Sequence, residues 1–164
     1  MKVHDPIHRV SFAFRREGDR LVVDTWLEDG GHLPEHFHPT LDETWQTLDG
    51  DVRVKLDGTW RDLTPADGVV PVPRNVRHEL LNASGRTAHL VGTATPPGGL
   101  EEFLTEASWA AREGLYNGRN LPTSVRGAVW LAGLAQRFRH ETVMCSPPPA
   151  LQRVVMPVVA RFAR

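Results

Sequence analysis

The stretch GGHLPEHFHPTLDETWQTLDG, residues 30–50, decides how this chain is interpreted. It places His36 and His38 on either side of one phenylalanine, and Glu43 follows five residues after the second histidine. Because side chains alternate between the two faces of an extended strand, the two imidazoles point to the same side. Glu43 begins the next apolar run, and it faces the histidines if the two segments lie on neighbouring strands.

A third imidazole, His78, lies in strand-like sequence further along the chain. Three imidazoles and one carboxylate suit Fe(II), Mn(II), Ni(II), Zn(II) or Cu(II), whereas Mg(II) and Ca(II) prefer oxygen ligands alone. Four protein ligands leave positions open on a metal that prefers six, as a catalytic metal requires. Each residue also has an ordinary interpretation. An isolated His-x-His is common on surface strands, Glu43 alone is a solvated carboxylate, and His78 alone is a half-exposed histidine.

The first hundred residues predict short strands on both sides of this stretch. Apolar and other residues alternate over 10–15 and 52–56, and turn signals occur at 17–20, 48–50 and 56–58. Turns that recur every 8 to 12 residues or so favour an all-β sandwich or barrel. A parallel α/β sheet is not favoured, because no long helical period interrupts this part of the chain.

The period changes after the break TPPGGL at 95–100. Apolar residues recur at helical spacing after Leu100, again over about 125–140, and in a last stripe from Leu151 to Phe162. Pro157 lies inside that stripe and is expected to kink or shorten the helix. The stripe predicts a helix that packs on the barrel or on a partner subunit; the alternative is a membrane-surface helix, for which its arginines are few.

The pattern therefore predicts two regions. Residues 1–97 form the barrel, with its core motifs at 30–82, and residues 98–164 form a helical extension.

Composition and charge exclude several classes of function. The chain has 164 residues, a formal net charge of −1 and one cysteine, Cys145. A nucleic-acid-binding surface needs a basic patch or stripe, and none is visible. An internal disulfide is impossible with one cysteine, and no signal peptide or apolar run of about 18 residues is present. We expect a cytoplasmic protein with no membrane span and no nucleic-acid partner.

The segment resembles the cupin superfamily. The first cupin signature is a glycine, five residues, His-x-His, three or four residues, a glutamate, six residues and a glycine. It is matched at every position by Gly30, His36, His38, Glu43 and Gly50. In the second signature Pro73, His78 and Asn82 fit, and Asn75 stands where glycine is usual. Asparagine tolerates the left-handed backbone better than other non-glycine residues, so Asn75 is expected to make the same turn.

The resemblance implies a mainly β fold. The expected fold is a single cupin-type jelly-roll β-barrel of six to eight strands, followed by two or three C-terminal α-helices. The chain is similar to a group of small bacterial single-domain cupins with a helical C-terminal extension.

The resemblance also implies that one divalent metal ion, with Fe(II) favoured over Zn(II), Mn(II), Ni(II) or Cu(II), is bound by His36, His38, Glu43 and His78. Glu43 is in addition a candidate catalytic base.

Further residues are candidates for the pocket wall. Trp45 and Thr47 share the strand face of Glu43, and Trp26, Trp60 and His89 are also expected to line the pocket. Large aromatic residues are, however, more often plain core.

The most favoured function is a non-haem metal-dependent dioxygenase-like enzyme acting on a small organic molecule. One alternative is a redox-neutral, metal-dependent isomerase, lyase or cyclase. A second alternative is a non-catalytic module that binds a small ligand. Edge strands of small barrels often pair and the tail is apolar, so a homodimer is expected.

Overall fold

The computed structural model describes residues 2–162, and within them it contains eleven strands and three α-helices. The strands are β1 (Lys2–Asp5), β2 (Val10–Glu17), β3 (Arg20–Leu27), β4 (His32–Phe37), β5 (Asp42–Asp49), β6 (Val52–Leu56), β7 (Thr59–Leu63), β8 (Val70–Val72), β9 (His78–Leu81), β10 (Ala88–Thr95) and β11 (Val143–Met144). The helices are α1 (Leu100–Arg112), α2 (Val125–Arg137) and α3 (Pro149–Ala160). The mainly β fold with C-terminal helices is confirmed. The expected six to eight strands were too few, because strands as short as β8 and β11 show no alternation that a sequence pattern can reveal.

The strands form two antiparallel sheets that face each other. One has the order β1-β2-β3-β10-β5-β8, and the other has the order β11-β4-β9-β6-β7. The neighbour of β4 is β9, and β5 lies in the opposite sheet. The sequence-based condition that β4 and β5 are neighbouring strands is therefore wrong. The turn between them carries the chain across the barrel.

The core lies between the two sheets. It is built from side chains on alternate positions of each strand, among them the fully buried Val10, Leu21, Leu27, Val52 and Leu90. This is the alternation that the sequence pattern predicted for the strands.

The chain beyond residue 97 packs against this barrel through α1 and through β11, among other contacts. Leu100, the first residue of α1, is buried in the same core cluster. Strand β11 pairs with β4, so the tail supplies the edge strand of the second sheet. Helix α2 begins at Ser124, whose side-chain oxygen accepts a hydrogen bond from the backbone N–H of Gly127. Helix α3 continues past Pro157 and ends at Ala160.

Helix α3 exposes much of its apolar stripe. Leu151, Val154, Val158 and Phe162 are each more than half exposed. Within residues 2–162, no helix has the length and apolar character required to cross a membrane.

Candidate metal site

Three histidines converge inside the barrel. His36 on β4 lies directly opposite His78 on β9, and their Nε2 atoms are 3.0 Å apart. His38 follows the end of β4 and points to the same side as His36. Ligand atoms of the three imidazoles all lie within 4.8 Å of one another.

Glu43 reaches this cluster from the opposite sheet. Its Oε2 atom is 3.5 Å from the Nε2 atom of His38 and 3.5 Å from that of His78. The four residues predicted as metal ligands are thus brought together, although β4 and β5, which carry His36 and Glu43, lie in opposite sheets rather than next to each other. A donor set of three imidazole nitrogens and one carboxylate suits a divalent transition metal.

Backbone carbonyl groups fix the orientation of all three rings. The Nδ1 atoms of His36, His38 and His78 lie 2.7, 2.7 and 2.9 Å from carbonyl oxygens of Pro34, Glu141 and Val76. A carbonyl oxygen can only accept, so each Nδ1 carries the proton and donates it. Each Nε2 is then left with a free lone pair that points into the cluster.

The Nε2 atom of His38 provides a test of whether a metal fits. It is buried and has no hydrogen-bond partner within the described residues. A buried polar atom without a partner costs free energy unless something satisfies it. A metal ion bound at this nitrogen would do so, and hydrogen bonds from Nδ1 to a carbonyl are the usual support for metal-binding histidines.

Burial keeps the imidazoles neutral. It lowers the pKa of His36 to about 4, with a further contribution from His38, and it lowers that of His38 to about 4. Burial also lowers the pKa of His78, as do the two neighbouring imidazoles. All three rings are therefore neutral at pH 7, which is the state that binds a metal.

Burial acts on the carboxyl group in the opposite direction. It raises the pKa of Glu43 to about 7, against the opposing influence of His36 and a hydrogen bond from Trp45. A carboxyl group in this state exchanges its proton for a metal ion near neutral pH.

A small, largely apolar cavity of about 60 Å³ adjoins the cluster. A volume of that kind holds roughly four waters, which is enough for a molecule of a few heavy atoms. The described residues that line it include no lysine and no arginine. Its wall, besides the metal-site residues, comprises Phe12, Val23, Thr25, Leu33, Trp45, Leu80, Leu90, Gly92, Thr93, Leu100 and Leu104.

Of the residues expected at the pocket wall, Trp45 lines the cavity and its ring packs edge-on against His78, with the ring centroids 5.1 Å apart. The other four lie elsewhere, and the sequence-based expectation for them is corrected. Thr47 is buried on the predicted face, but it lies away from the cavity and donates a hydrogen bond to the carbonyl of Leu63. Trp60 lies beside the charged groups of Arg53 and Lys55.

Trp26 and His89 are on the outer face of the first sheet. Their rings stack with centroids 4.6 Å apart, and His89 contacts Asp24. The physical reason is strand parity. Thr25 and Leu90 point inward, so the residues next to them point outward.

Sequence reasoning missed the contribution of the tail to the site. Leu100 and Leu104 of α1 line the cavity, and the Glu141 carbonyl holds the ring of His38. The hydroxyl group of Thr142 lies 3.3 Å from the same Nδ1 atom. A backbone carbonyl has no side-chain signature, so no sequence pattern could have identified this contact.

The turns of the two signatures contain residues in the left-handed backbone conformation, as their glycines and asparagine suggest. Gly30 and Gly50 have positive φ angles of 75° and 79°, and Asn75 has a φ of 64°. The N–H of Asn75 donates to the carbonyl of His38 at 2.8 Å, which links the second turn to a metal-site residue. Asn75 therefore takes the left-handed conformation that a glycine usually provides at this position.

Comparison with known protein families gives one match, to the barrel region of the chain. The family model for the cupin domain matches residues 25–93. No curated protein sequence matches the chain.

Among solved structures, KdgF from a Halomonas species has a TM-score of 0.52 and 19% identity, over 57% of this chain and 84% of that one. An RmlC-like cupin from Shewanella frigidimarina has a TM-score of 0.51 and 20% identity, over 58% and 84%. A sugar phosphate isomerase of the cupin superfamily from Silicibacter pomeroyi has a TM-score of 0.50 and 18% identity, over 54% and 60%. At these identities the similarity establishes the fold alone.

Proposed function

We propose that this chain, which belongs to the cupin superfamily, binds one divalent transition metal ion and is a dioxygenase-like enzyme for a small organic molecule. His36, His38, Glu43 and His78 would hold the metal. The observation that carries the proposal is the convergence of three Nε2 lone pairs, each with its Nδ1 proton held by a backbone carbonyl.

Fe(II) is the favoured metal, because histidine-rich sites with a carboxylate and open positions suit oxygen chemistry. When bound, such an ion supplies a site where an organic molecule and dioxygen react. The protein's own groups orient the imidazoles, keep them unprotonated and surround the site with apolar side chains. Leu33, Leu80, Leu90 and the α1 residues Leu100 and Leu104 exclude bulk water from the cavity.

The same cavity restricts the size and the polarity of the substrate. Its volume of about 60 Å³ admits only a molecule of a few heavy atoms unless α1 shifts. Thr25 and Thr93 are the hydroxyl groups on its wall, and Thr93 is hydrogen bonded to Thr44 at 2.7 Å. A compact, weakly polar molecule fits this lining.

Oxygen consumption tests the proposal directly. Fe(II)-loaded protein is incubated with a panel of small alcohols, ketones, thiols and acids in an oxygen electrode, beside a His78→Ala variant and a His89→Ala control. We expect substrate-dependent oxygen uptake that His78→Ala abolishes and His89→Ala leaves unchanged. Turnover without oxygen uptake that a chelator stops would establish the redox-neutral enzyme instead. Saturable ligand binding with no turnover would establish a binding module.

The proposal includes a cytoplasmic location and a homodimer. The apolar stripe over residues 151–162, with Val154 70% exposed and Phe162 74% exposed, supports association because contiguous exposed apolar patches mark surfaces that bind a partner. Sedimentation equilibrium of wild type and of a Val154→Glu variant tests this point. A monomer in both would exclude the dimer.

A further inference from the structure

A second and larger pocket lies behind the metal site. It has a volume of about 530 Å³ and is bounded by β4, β11 and the helices α2 and α3. It shares no lining residue with the metal-site cavity. Cavities of about 300–1,000 Å³ are the usual size for sites that bind small molecules. We call it the rear pocket.

The rear pocket combines an apolar floor with cationic groups. Phe37 and Val143 come from the barrel, and Ala135 and Met156 come from the helices. Arg139 and Arg153 also belong to its lining, whereas no aspartate or glutamate among the described residues does. The other polar residues of the lining are Asn75, Gln136, His140, Thr142 and Gln152, so the wall is about half polar. Polar groups that fix the orientation of a ligand beside apolar side chains are characteristic of ligand sites.

Both arginines have unused hydrogen-bonding capacity. Arg139 donates to the carbonyl of Gln136 at 3.2 Å, and within residues 2–162 neither it nor Arg153 has a carboxylate within 4.0 Å. By contrast, Arg137, the last residue of α2, is paired with Glu106. The guanidinium group presents a planar fork of donors that suits carboxylate, phosphate or sulfonate groups.

We infer that the rear pocket binds a small organic anion with an apolar body. The two free guanidinium groups would take the anionic head, and Phe37, Val143 and Met156 would cover the body. This inference does not depend on the proposed enzymatic function, because it rests on residues outside the metal site.

A ligand at this position would contact the support of the metal site. Phe37 lies between His36 and His38 in sequence, and Thr142, which also lines the rear pocket, has its hydroxyl group 3.3 Å from the Nδ1 atom of His38. A ligand in the rear pocket would therefore contact the residues next to His36 and His38.

Octanoate and octanamide form a matched pair of probes, since they share a body and differ in charge. Calorimetric titration of wild type should give saturable binding of one octanoate per chain. Octanamide should bind at least about tenfold more weakly, because it lacks the charged group whose hydrogen bonds to the arginines raise affinity by about that factor or more. Arg139→Ala/Arg153→Ala should lower octanoate affinity to the level of octanamide. Arg119→Ala/Arg126→Ala, which removes two arginines outside the pocket, should leave it unchanged.

Two further variants make the result specific. Ala135→Trp fills the pocket while keeping both arginines, and it should abolish binding of both probes. The variant His36→Ala/His38→Ala/His78→Ala should still bind octanoate, which separates this site from the metal. Equal affinity for the two probes, an unaffected arginine variant, or loss of octanoate binding in the triple histidine variant would overturn the inference.

Discussion

Replacing Glu43 with glutamine should change both the strength and the pH dependence of metal binding. Burial raises the pKa of Glu43 to about 7, so a metal ion must displace a proton from this group at pH values below 7. The pKa values of His36 and His38 are lowered to about 4, so protons compete with the metal for these two imidazoles only in more acidic solution. Between pH 5 and pH 8, Glu43 is thus the principal group whose protonation opposes binding.

The expected magnitude follows from that pKa. With one proton displaced from a group of pKa about 7, metal affinity should fall about ninetyfold between pH 8 and pH 5. Metal binding should release about 0.9 proton at pH 6 and about 0.1 proton at pH 8. Glu43→Gln cannot titrate, so its affinity should be weaker at pH 8 and nearly constant down to pH 5.

Calorimetric titration with Mn(II) measures this proton release when it is repeated in buffers of different ionisation enthalpy. Asp49→Asn is the matched control, because Asp49 is an exposed carboxylate on the same strand as Glu43 and is paired with Arg86. It should leave both the affinity and the proton release unchanged. Proton release that does not vary with pH in wild type, or that persists in Glu43→Gln, would refute the reasoning.

Four substitutions at three positions test the supports of the fold by urea denaturation. Asn82→Ala should cost about 2–4 kcal/mol, because the buried Asn82 amide donates to two backbone carbonyls; a loss under 1 kcal/mol would contradict this role. Gly127→Ala should destabilise the protein by about 1–3 kcal/mol despite alanine's higher helix propensity, since its Cβ would lie 2.1 Å from the carbonyl oxygen of Leu115. A gain in stability would show that α2 shifts away from Leu115 at little cost. Asn75→Gly should change stability little and Asn75→Ala should cost about 1 kcal/mol, because φ is 64° there; equal effects would exclude a left-handed turn.

Much of the site follows from short-range features of the sequence. The one-residue spacing of His36 and His38 puts both imidazoles on one strand face, and period-two alternation predicts the longer barrel strands such as β2 and β6. The positive φ of Asn75 follows from the conformational tolerance of asparagine. These features depend on neighbouring residues alone, so a single sequence is sufficient to predict them.

The remaining features depend on contacts between distant segments. The turn after His38 does not reveal that β5 crosses to the opposite sheet, so Glu43 was expected on a neighbouring strand. Trp26 was a candidate for the pocket wall, but Thr25 lines the cavity, so strand parity places Trp26 on the outer face. The carbonyl of Glu141 lies 103 residues from His38 in sequence, and a backbone group carries no local signal of its role.

The metal content of the purified protein tests the central claim most directly. Protein produced without a metal-affinity tag would be analysed for iron, manganese, nickel, copper and zinc, beside His36→Ala/His38→Ala/His78→Ala. A second variant, His4→Ala/His89→Ala/His140→Ala, removes three histidines outside the site and serves as the matched control. We expect close to one metal ion per chain in wild type and in the control, and none in the site variant. A small, mixed metal content that is the same in all three proteins would show that His36, His38 and His78 do not hold a metal.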